Sequence, residues 1–220
     1  MIVVEDVCKR YITRQGVGPW VLLGVNMQIP ARRSVGLVGS NGAGKSTLLR
    51  IIGGSDYPTK GRVERRCRVS WPMSHGGLEG TLSGRQNAKF VCRIHGYQDE
   101  LPERLARIQD FAELGAAFEQ PVQTYSSGMR SRLQFALSLA FDFEVYISDE
   151  VTSAGDAVFR TKAKDAFKKL ADRASIIMTS HDDSTLKTFC QSGILLAGGR
   201  AQWFDEIDDA LRAYKKSITR

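Results

Sequence analysis

The segment GSNGAGKS at residues 39–46 constrains the fold of this chain more than any other part of its sequence. It has the spacing G-x-x-x-x-G-K-[ST] and lies between a short apolar run at 34–38, typical of a buried strand, and a helical pattern of apolar residues at 45–54. Glycines at this spacing let successive backbone N–H groups converge on phosphate oxygens, and a helix that follows them presents its positive dipole end. The segment therefore predicts a phosphate-binding loop between a strand and a helix.

Two side chains at the end of this loop specify the ligand further. Lys45 can reach the β- and γ-phosphates of a nucleotide, and the Ser46 hydroxyl can ligate Mg²⁺. We therefore predict that the loop binds a nucleoside triphosphate together with Mg²⁺. The nucleotide-binding residues predicted in this part of the chain are Gly39, Ser40, Asn41, Gly42, Ala43, Gly44, Lys45, Ser46 and Thr47.

The rest of the chain alternates between strand and helix patterns. Strands are predicted at 2–7, 20–29, 34–38, 143–148 and 175–180, with a strand pair at 61–71 and a hairpin that turns at Gly198-Gly199. Helical patterns cover 45–54, most of 87–139 with a break near Pro121, 158–171 and 206–216, whereas 74–90 is a glycine-rich loop that leads into a helix. This alternation predicts an α/β fold with a central parallel sheet and a helical insert.

The composition limits the class of protein. With 42% apolar and 25% charged residues the chain is typical of a globular protein, and it has no apolar run of the roughly 18 to 20 residues that a membrane-spanning helix needs. The N-terminal sequence reaches charged residues too early for a signal peptide, which predicts a soluble, cytoplasmic protein. No metal is assigned to His75 or His95, and no C-x-x-C pair occurs among the cysteines, which are Cys8, Cys67, Cys92 and Cys190.

The chain is basic, with 31 Lys and Arg against 24 Asp and Glu and a net charge of +7. This charge is compatible with an ordinary soluble surface, and also with attraction to nucleic acid, an anionic membrane or a polyanionic substrate. A solvated sheet edge is favoured over contact with lipid phosphate or glycan for one basic cluster, which consists of Arg62, Arg65, Arg66 and Arg68.

A second motif ends in two carboxylates. The run VYISDE at 145–150 predicts a buried strand whose carboxyl end carries Asp149 and Glu150, at the edge of the sheet where α/β proteins bind ligands. Asp149 would hold Mg²⁺, directly or through water, and Glu150 would orient or deprotonate an attacking water. An apolar strand followed by Asp-Glu is common, so the motif indicates a nucleotide site only in combination with the phosphate-binding loop.

A third motif, YSSGMR at 125–130, precedes a helical segment. Ser126 is an ordinary N-cap residue, and a glycine with two serines at a helix N-terminus also makes an anion site. The physical argument alone favours the capping role.

Taken together, GSNGAGKST, YSSGMRSRL, VYISDE and MTSH resemble the ATPase subunit of an ABC transporter over the whole chain. The resemblance implies a P-loop NTPase core with a small antiparallel β subdomain and an inserted helical subdomain. It implies that Tyr11 stacks on adenine and that His181 senses the γ-phosphate and positions Glu150. It also makes Ser126, Ser127 and Gly128 the signature that contacts ATP on the opposite subunit, with Ser127 where most members have glycine, and puts Asp156 in a loop at the dimer interface.

The finer resemblance is to the capsular polysaccharide export branch, and it is carried by the segments at 70–91, 110–144 and 149–159. It implies an ATP-hydrolysing homodimer at the cytoplasmic face of the inner membrane, peripheral to a separate permease. The cargo would be a lipid-linked polysaccharide, with periplasmic and outer-membrane export proteins as indirect partners and no nucleic acid. Relatives that export O-antigen add a C-terminal carbohydrate-binding domain, and this chain stops at 220, which favours the capsule branch.

Other functions stay open at this point. Export of O-antigen or teichoic acid is one alternative, and a soluble ABC ATPase that acts on nucleic acid or ribosomes is another. The resemblance also implies one ABC ATPase domain over 1–220, with its core and β subdomain at 1–73 and 141–220, its helical subdomain at about 74–140, and permease docking on 74–85.

One position departs from the family pattern, because Met73 stands where a glutamine usually helps to bind Mg²⁺. Either this branch manages without that ligand, or Met73 packs against the permease.

Overall fold

The computed structural model describes residues 1–14, 16–73, 77–149 and 157–218. Within these residues the elements in chain order are β1 (Ile2–Thr13), β2 (Gly16–Ile29), β3 (Val35–Val38), α1 (Lys45–Ile52), β4 (Lys60–Arg65), β5 (Val69–Pro72), α2 (Gly84–Ile94), α3 (Leu101–Ala112), α4 (Ser127–Leu139), β6 (Val145–Asp149), α5 (Ala157–Ala171), β7 (Ser175–Thr179), α6 (Asp183–Phe189), β8 (Ser192–Ala197), β9 (Arg200–Phe204) and α7 (Ile207–Ile218). Short 3₁₀ turns lie at Gly115–Glu119 and Val122–Thr124.

The chain divides into two compact units. The first contains the described parts of 1–72, 143–150 and 168–220, and the second contains those of 73–142 and 151–167. All of the strands named above belong to the first unit, and α2, α3 and α4 belong to the second. The predicted α/β class with a parallel sheet is confirmed. The subdomain boundaries inferred from the sequence remain a prediction.

A small antiparallel sheet in the first unit has the strand order β2-β1-β4. β1 and β2 form a long hairpin in which Ile2 pairs with Ile29 and Thr13 pairs with Gly16. Both strands are longer than the apolar runs at 2–7 and 20–29, because the polar segments next to the turn also pair across the hairpin. Nearly all side chains of these polar segments are exposed or half-buried, so the hydrophobic pattern that predicts a strand is weak there although the backbone ladder continues.

The larger sheet has the order β5-β6-β7-β3-β8-β9 among the described strands. Its first five strands run parallel and β9 returns antiparallel to β8, so the hairpin predicted at Gly198-Gly199 is confirmed. Two strands form at 61–71, as predicted, but the prediction that they pair with each other is wrong. β4 pairs with β1 in the small sheet, whereas β5 pairs with β6 in the large one. The two strands separate because β4 is largely exposed, while β5 carries buried residues that belong in the parallel sheet.

A hydrophobic core in the first unit is shared by both sheets and α1. The spacing of the apolar residues on α1 buries Leu48, Leu49, Ile51 and Ile52, all of them 0% exposed. They pack in one cluster with residues of the small sheet such as Leu22 and of the large sheet such as Ile147. Burying four such side chains stabilises the unit by about 1.5 to 3 kcal/mol each. This packing fixes the start of α1, and with it the loop that precedes the helix.

Three arginines of the cluster at 62–68 bind different groups among the described residues. β4 is an edge strand among the described strands, and Arg62 on it and Arg66 just after it form exposed ion pairs with glutamates. Arg65 instead donates hydrogen bonds of 2.7 and 2.5 Å to the carbonyl oxygens of Ile52 and Ile51, at the C-terminus of α1. The solvated edge therefore accounts for Arg62 and Arg66, whereas Arg65 adds hydrogen bonds to the last carbonyl groups of α1, one of which, that of Ile51, also accepts from the N–H of Gly54.

The second unit is helical. Its longest elements pack pairwise, α2 on α3, α3 on α4 and α2 on α4. α2 begins with a capping box in which the Ser83 hydroxyl accepts from the N–H of Gln86 and the Gln86 side chain accepts from the N–H of Ser83. Phe111, Phe135 and Phe159 form an aromatic cluster with ring centroids 5.7 to 6.4 Å apart. None of the helices in the described ranges has both the length and the apolar composition that crossing a bilayer requires.

Candidate nucleotide-binding site

The loop at residues 39–44 connects the buried strand β3 to the first residue of α1, as the sequence predicts. Its backbone has positive φ angles at Gly39 (153°), Gly42 (80°) and Gly44 (101°), which residues with a side chain rarely adopt. A Cβ atom at Gly39 would also meet the carbonyl oxygen of Leu196 on β8. The loop can therefore keep this path only with glycine at these positions, and its backbone is left bare for a ligand.

Lys45 closes the loop. Its Nζ donates hydrogen bonds of 2.7 Å to the carbonyl oxygen of Gly39 and 2.9 Å to that of Ser40. Ser46 follows on the first turn of α1, where its side chain is half-buried. The structure therefore places a cation and a hydroxyl at the N-terminus of the helix, where the dipole also favours an anion.

The carboxyl end of β6 places Asp149 next to β7. Asp149 pairs in register with Thr179, and the Thr179 hydroxyl donates a 2.7 Å hydrogen bond to Asp149 Oδ1. Because β6, β7 and β3 are neighbours and run parallel, Asp149 lies at the same edge of the sheet as the phosphate-binding loop. Glu150 and Asp156, which the sequence analysis also assigns to the site, lie outside the described residues.

His181 lies two residues beyond the end of β7 and is exposed. The next residue, Asp182, caps α6 by accepting hydrogen bonds of 3.1 Å from the N–H groups of Ser184 and Thr185. Hydrogen bonds from the side chains and backbone of these two residues lower the pKa of Asp182 to about 2. The cap fixes the point at which α6 begins, and so it holds the backbone beside His181 at the edge that carries Asp149.

β1 brings Tyr11 to the helix that follows the phosphate-binding loop. The Tyr11 hydroxyl oxygen lies 3.4 Å from Thr47 Oγ1 and accepts a 3.3 Å hydrogen bond from Arg50, and both partners are on α1. Tyr11 also donates a 2.8 Å hydrogen bond to Asp56. Asp56 could not be identified from the sequence, because 45 positions separate it from Tyr11 and no local pattern links the two.

The signature residues lie at the start of α4 in the second unit. Ser126 is the N-cap, and its hydroxyl accepts a 3.2 Å hydrogen bond from the N–H of Met129. The capping role expected from physical argument is therefore observed. Ser127 and Gly128 occupy the first turn, and Ser127 is exposed. The cap uses the side chain of Ser126, so an anion at this helix end would meet backbone N–H groups.

Met73 follows β5 and is 4% exposed. Such burial argues against direct packing of its side chain on a permease, which was one of the two explanations for the missing glutamine. The other explanation, that a glutamine is not required at this position, stays a prediction. A thioether is a poor ligand for Mg²⁺, so Met73 does not take over the role of a glutamine as a metal ligand.

Curated relatives match along the full length of the chain. The polysialic acid transport ATP-binding protein KpsT of Escherichia coli is 44% identical over 220 residues, which are 99% of this chain and 100% of KpsT. The ATP-binding protein BexA of Haemophilus influenzae is 40% identical and covers 99% of both chains. The capsule polysaccharide export ATP-binding protein CtrD of Neisseria meningitidis serogroup B is 43% identical, over 97% of this chain and 98% of CtrD.

Solved structures show the same fold at lower identity. A dimeric ATP-binding cassette in a post-hydrolysis state, bound to ADP and Pi, matches with a TM-score of 0.75 at 24% identity, over 94% of this chain and 99% of that chain. An ATP-binding subunit of an ABC transporter matches with a TM-score of 0.77 at 19% identity, over 100% of both. The sequence family described as ABC transporter matches residues 22–153, which include the phosphate-binding loop and Asp149. The chain therefore belongs to the ABC transporter family, in the branch of ATP-binding proteins to which KpsT, BexA and CtrD also belong.

Proposed function

We propose that this chain hydrolyses ATP to power the export of a lipid-linked capsular polysaccharide through a separate membrane permease. The observation that carries the proposal is the full-length identity of 44% and 43% to KpsT and CtrD, whose names state polysialic acid transport and capsule polysaccharide export. The geometry of the phosphate-binding loop supports the ATPase part independently of these names. The chain would act as a peripheral protein at the cytoplasmic face of the inner membrane.

The loop and the start of α1 fit a triphosphate. The Nζ of Lys45 already lies at the loop, where it can exchange its hydrogen bonds to the carbonyl oxygens of Gly39 and Ser40 for bonds to phosphate oxygens. The first turn of α1 contains no acidic residue, so no carboxylate on it offsets the positive end of the helix dipole. In the proposed site Lys45 therefore binds the β- and γ-phosphates, and the backbone of 39–46 surrounds the phosphate chain.

Ser46 and Asp149 fit a magnesium ion. Hydroxyl and carboxylate oxygens are the hard ligands that Mg²⁺ prefers, and Thr179 orients Asp149 by its hydrogen bond. A bound Mg²⁺ supplies charge neutralisation on the phosphate oxygens. Glu150 would orient or deprotonate the attacking water, and His181 would position Glu150 and respond to the γ-phosphate. Tyr11 would stack on the adenine base.

A complete site would need two copies of the chain. In the proposed dimer each copy contributes one phosphate-binding loop, and the signature residues of the other copy, Ser126, Ser127 and Gly128, complete the contact with the γ-phosphate. The exposed start of α4 is compatible with such a contact. Asp156 would lie at the dimer interface. Closure around two ATP molecules and reopening after hydrolysis would drive the permease, which would dock on 74–85 and the helices that follow.

The test of the ATPase uses the purified chain with ATP and Mg²⁺. Wild type should release phosphate, whereas Lys45→Ala should bind nucleotide weakly and lose turnover. Lys164→Ala makes the same chemical change at an exposed position on α5 and should behave like wild type. If Lys45→Ala hydrolysed ATP as fast as wild type, the result would contradict the proposed nucleotide-binding site.

A second variant tests the dimer. Glu150→Gln should still bind ATP but hydrolyse it about a hundredfold or more slowly, because the water loses its orientation. The ATP-bound form should then accumulate as a dimer in size-exclusion chromatography. A variant that remains monomeric with ATP while wild type turns over normally would contradict a two-copy site.

A further inference from the structure

Asp56 joins Tyr11 to the turn that follows α1. One carboxylate oxygen of Asp56 accepts a 2.8 Å hydrogen bond from the Tyr11 hydroxyl, and the other accepts a 2.6 Å hydrogen bond from the ammonium group of Lys9. Lys9 and Tyr11 are two residues apart on β1, and both side chains reach this carboxylate although the pairing of β1 with β2 is irregular between them. The carboxylate of Asp56 therefore binds the side chains of Lys9 and Tyr11 at the same time.

The tyrosine ring has further contacts that restrict its orientation. The Nζ of Lys9 lies over the ring, 4.7 Å from its centroid. At the hydroxyl end, Arg50 donates a 3.3 Å hydrogen bond to the Tyr11 oxygen, and Thr47 Oγ1 lies 3.4 Å away. Because Thr47 and Arg50 belong to α1, the ring is tied both to the turn at Asp56 and to the helix of the phosphate-binding loop.

The carboxylate of Asp56 remains charged at neutral pH. Burial raises the pKa of Asp56, but hydrogen bonds from Lys9, from Tyr11 and from the N–H of Tyr57 lower it further, so that the net pKa lies below its usual value. The Lys9 ammonium, whose residue is 9% exposed, also donates a 2.7 Å hydrogen bond to the carbonyl oxygen of Tyr57. The pair is therefore an ordered, hydrogen-bonded unit and not a loose surface ion pair.

We propose that Asp56, supported by Lys9, is a positioning residue for the base of the nucleotide: it fixes the Tyr11 ring in the orientation that stacks on a purine. The inference rests on the proposed function, in which Tyr11 contacts adenine. A ring that is already ordered loses less conformational freedom when a base binds, so the affinity for the base is higher. Asp56 would not touch the phosphates, and it would leave the hydrolysis step unchanged.

Two substitutions separate positioning from a general role in folding. Asp56→Asn keeps the size of the side chain but replaces one carboxylate oxygen by an NH₂ group, which cannot accept a hydrogen bond. Lys9 and Tyr11 bond different oxygens of Asp56, so the asparagine cannot keep both bonds in their present geometry. Tyr11→Phe keeps the ring and removes only the hydroxyl that Asp56 holds. Since both changes break the same contact, their effects on ATP binding should be less than additive in the double variant. Asp99→Asn, in an exposed turn, is the matched control.

The experiment compares equilibrium binding of ATP with that of inorganic tripolyphosphate, which has the phosphates and no base. Asp56→Asn and Tyr11→Phe should each weaken ATP binding about two- to tenfold and leave tripolyphosphate binding unchanged. In steady-state assays KM for ATP should rise by the same factor while kcat stays constant. If Asp56→Asn does not fold, Tyr11→Phe alone carries the same expectation.

The outcomes that overturn the inference are distinct from those that overturn the proposed function. Equal loss of ATP and tripolyphosphate binding in Asp56→Asn would show a general structural role and overturn positioning. Wild-type ATP affinity in Asp56→Asn or Tyr11→Phe would also overturn it, and the adenine contact would stand if Tyr11→Ala still weakens ATP binding. If Tyr11→Ala binds ATP like wild type, the proposed adenine contact itself fails, and the inference fails with it.

Discussion

Replacing Thr179 by valine should raise the Mg²⁺ concentration that the ATPase requires. Thr179 is 3% exposed, and its hydroxyl donates a 2.7 Å hydrogen bond to Asp149, the carboxylate proposed to hold Mg²⁺. Valine has nearly the same shape, so the substitution removes the donor and leaves the packing largely intact. Asp149 would then lose a group that orients it toward the ion.

The size of this effect can be estimated in two ways. A hydrogen bond to a charged group contributes about 1.5 to 3 kcal/mol, and the lower end applies here because Asp149 is only half-buried and water can replace part of the bond. Loss of a residue that orients a metal ligand weakens metal binding about 10- to 100-fold, equivalent to roughly 1.4 to 2.8 kcal/mol. Both estimates lead us to expect a shift of about tenfold.

The assay is steady-state phosphate release at saturating ATP with buffered free Mg²⁺. Thr179→Val should need about ten times more Mg²⁺ for half-maximal activity than wild type. Thr179→Ser keeps the hydroxyl and serves as the matched control, with a Mg²⁺ dependence close to that of wild type. Identical Mg²⁺ dependence in all three proteins would refute the argument that Thr179 orients a metal ligand.

Three further predictions concern stability and reactivity. Ser70→Ala should destabilise the protein by about 1 to 3 kcal/mol and lower Tm by roughly 2 to 12 °C. The reason is that the buried N–H of Ile147 loses its 2.8 Å hydrogen bond to the serine hydroxyl. An unchanged melting curve would contradict this prediction. The pKa of Asp182 falls from its ordinary value to about 2 on folding, so its stabilising effect is present above about pH 4 and lost as the pH falls toward 2. The difference in urea midpoint between wild type and Asp182→Ala should therefore shrink over that interval, and a constant difference would exclude the charged cap as its cause. Burial raises the pKa of Cys190 to about 12. A thiol reagent at pH 8 should therefore label the half-buried Cys67 before it labels Cys190 in the native protein. Labelling of the two cysteines at equal rates would contradict the burial of Cys190.

The local parts of the fold could be predicted from the sequence. The phosphate-binding loop, its strand and its helix follow from glycine spacing and from apolar periodicity over about twenty neighbouring residues. The Gly198-Gly199 hairpin follows from turn chemistry for the same reason. In each case the residues that determine the structure are close together in the chain.

The contacts that complete the site are not local. Asp149 and Thr179 are 30 positions apart, and they meet only because β6 and β7 pair in parallel with a particular register. A polar residue near the end of each strand indicates that the two residues could lie at one edge of the sheet. The sequence does not show the register that brings them into contact. Likewise, the sequence of 61–71 predicts two strands without indicating that β4 and β5 belong to different sheets, because their partners, β1 and β6, are distant in the chain.

The central claim, ATP-driven export of a capsular polysaccharide, is tested most directly in the organism that encodes this chain. The measurement is the distribution of capsular polysaccharide between the cell surface and the cell interior after Lys45→Ala is introduced at the native gene, with Lys164→Ala as the control. We predict that polysaccharide disappears from the surface and accumulates inside the Lys45→Ala cells, while the control remains encapsulated. A normal amount of surface polysaccharide in the Lys45→Ala cells would contradict the account.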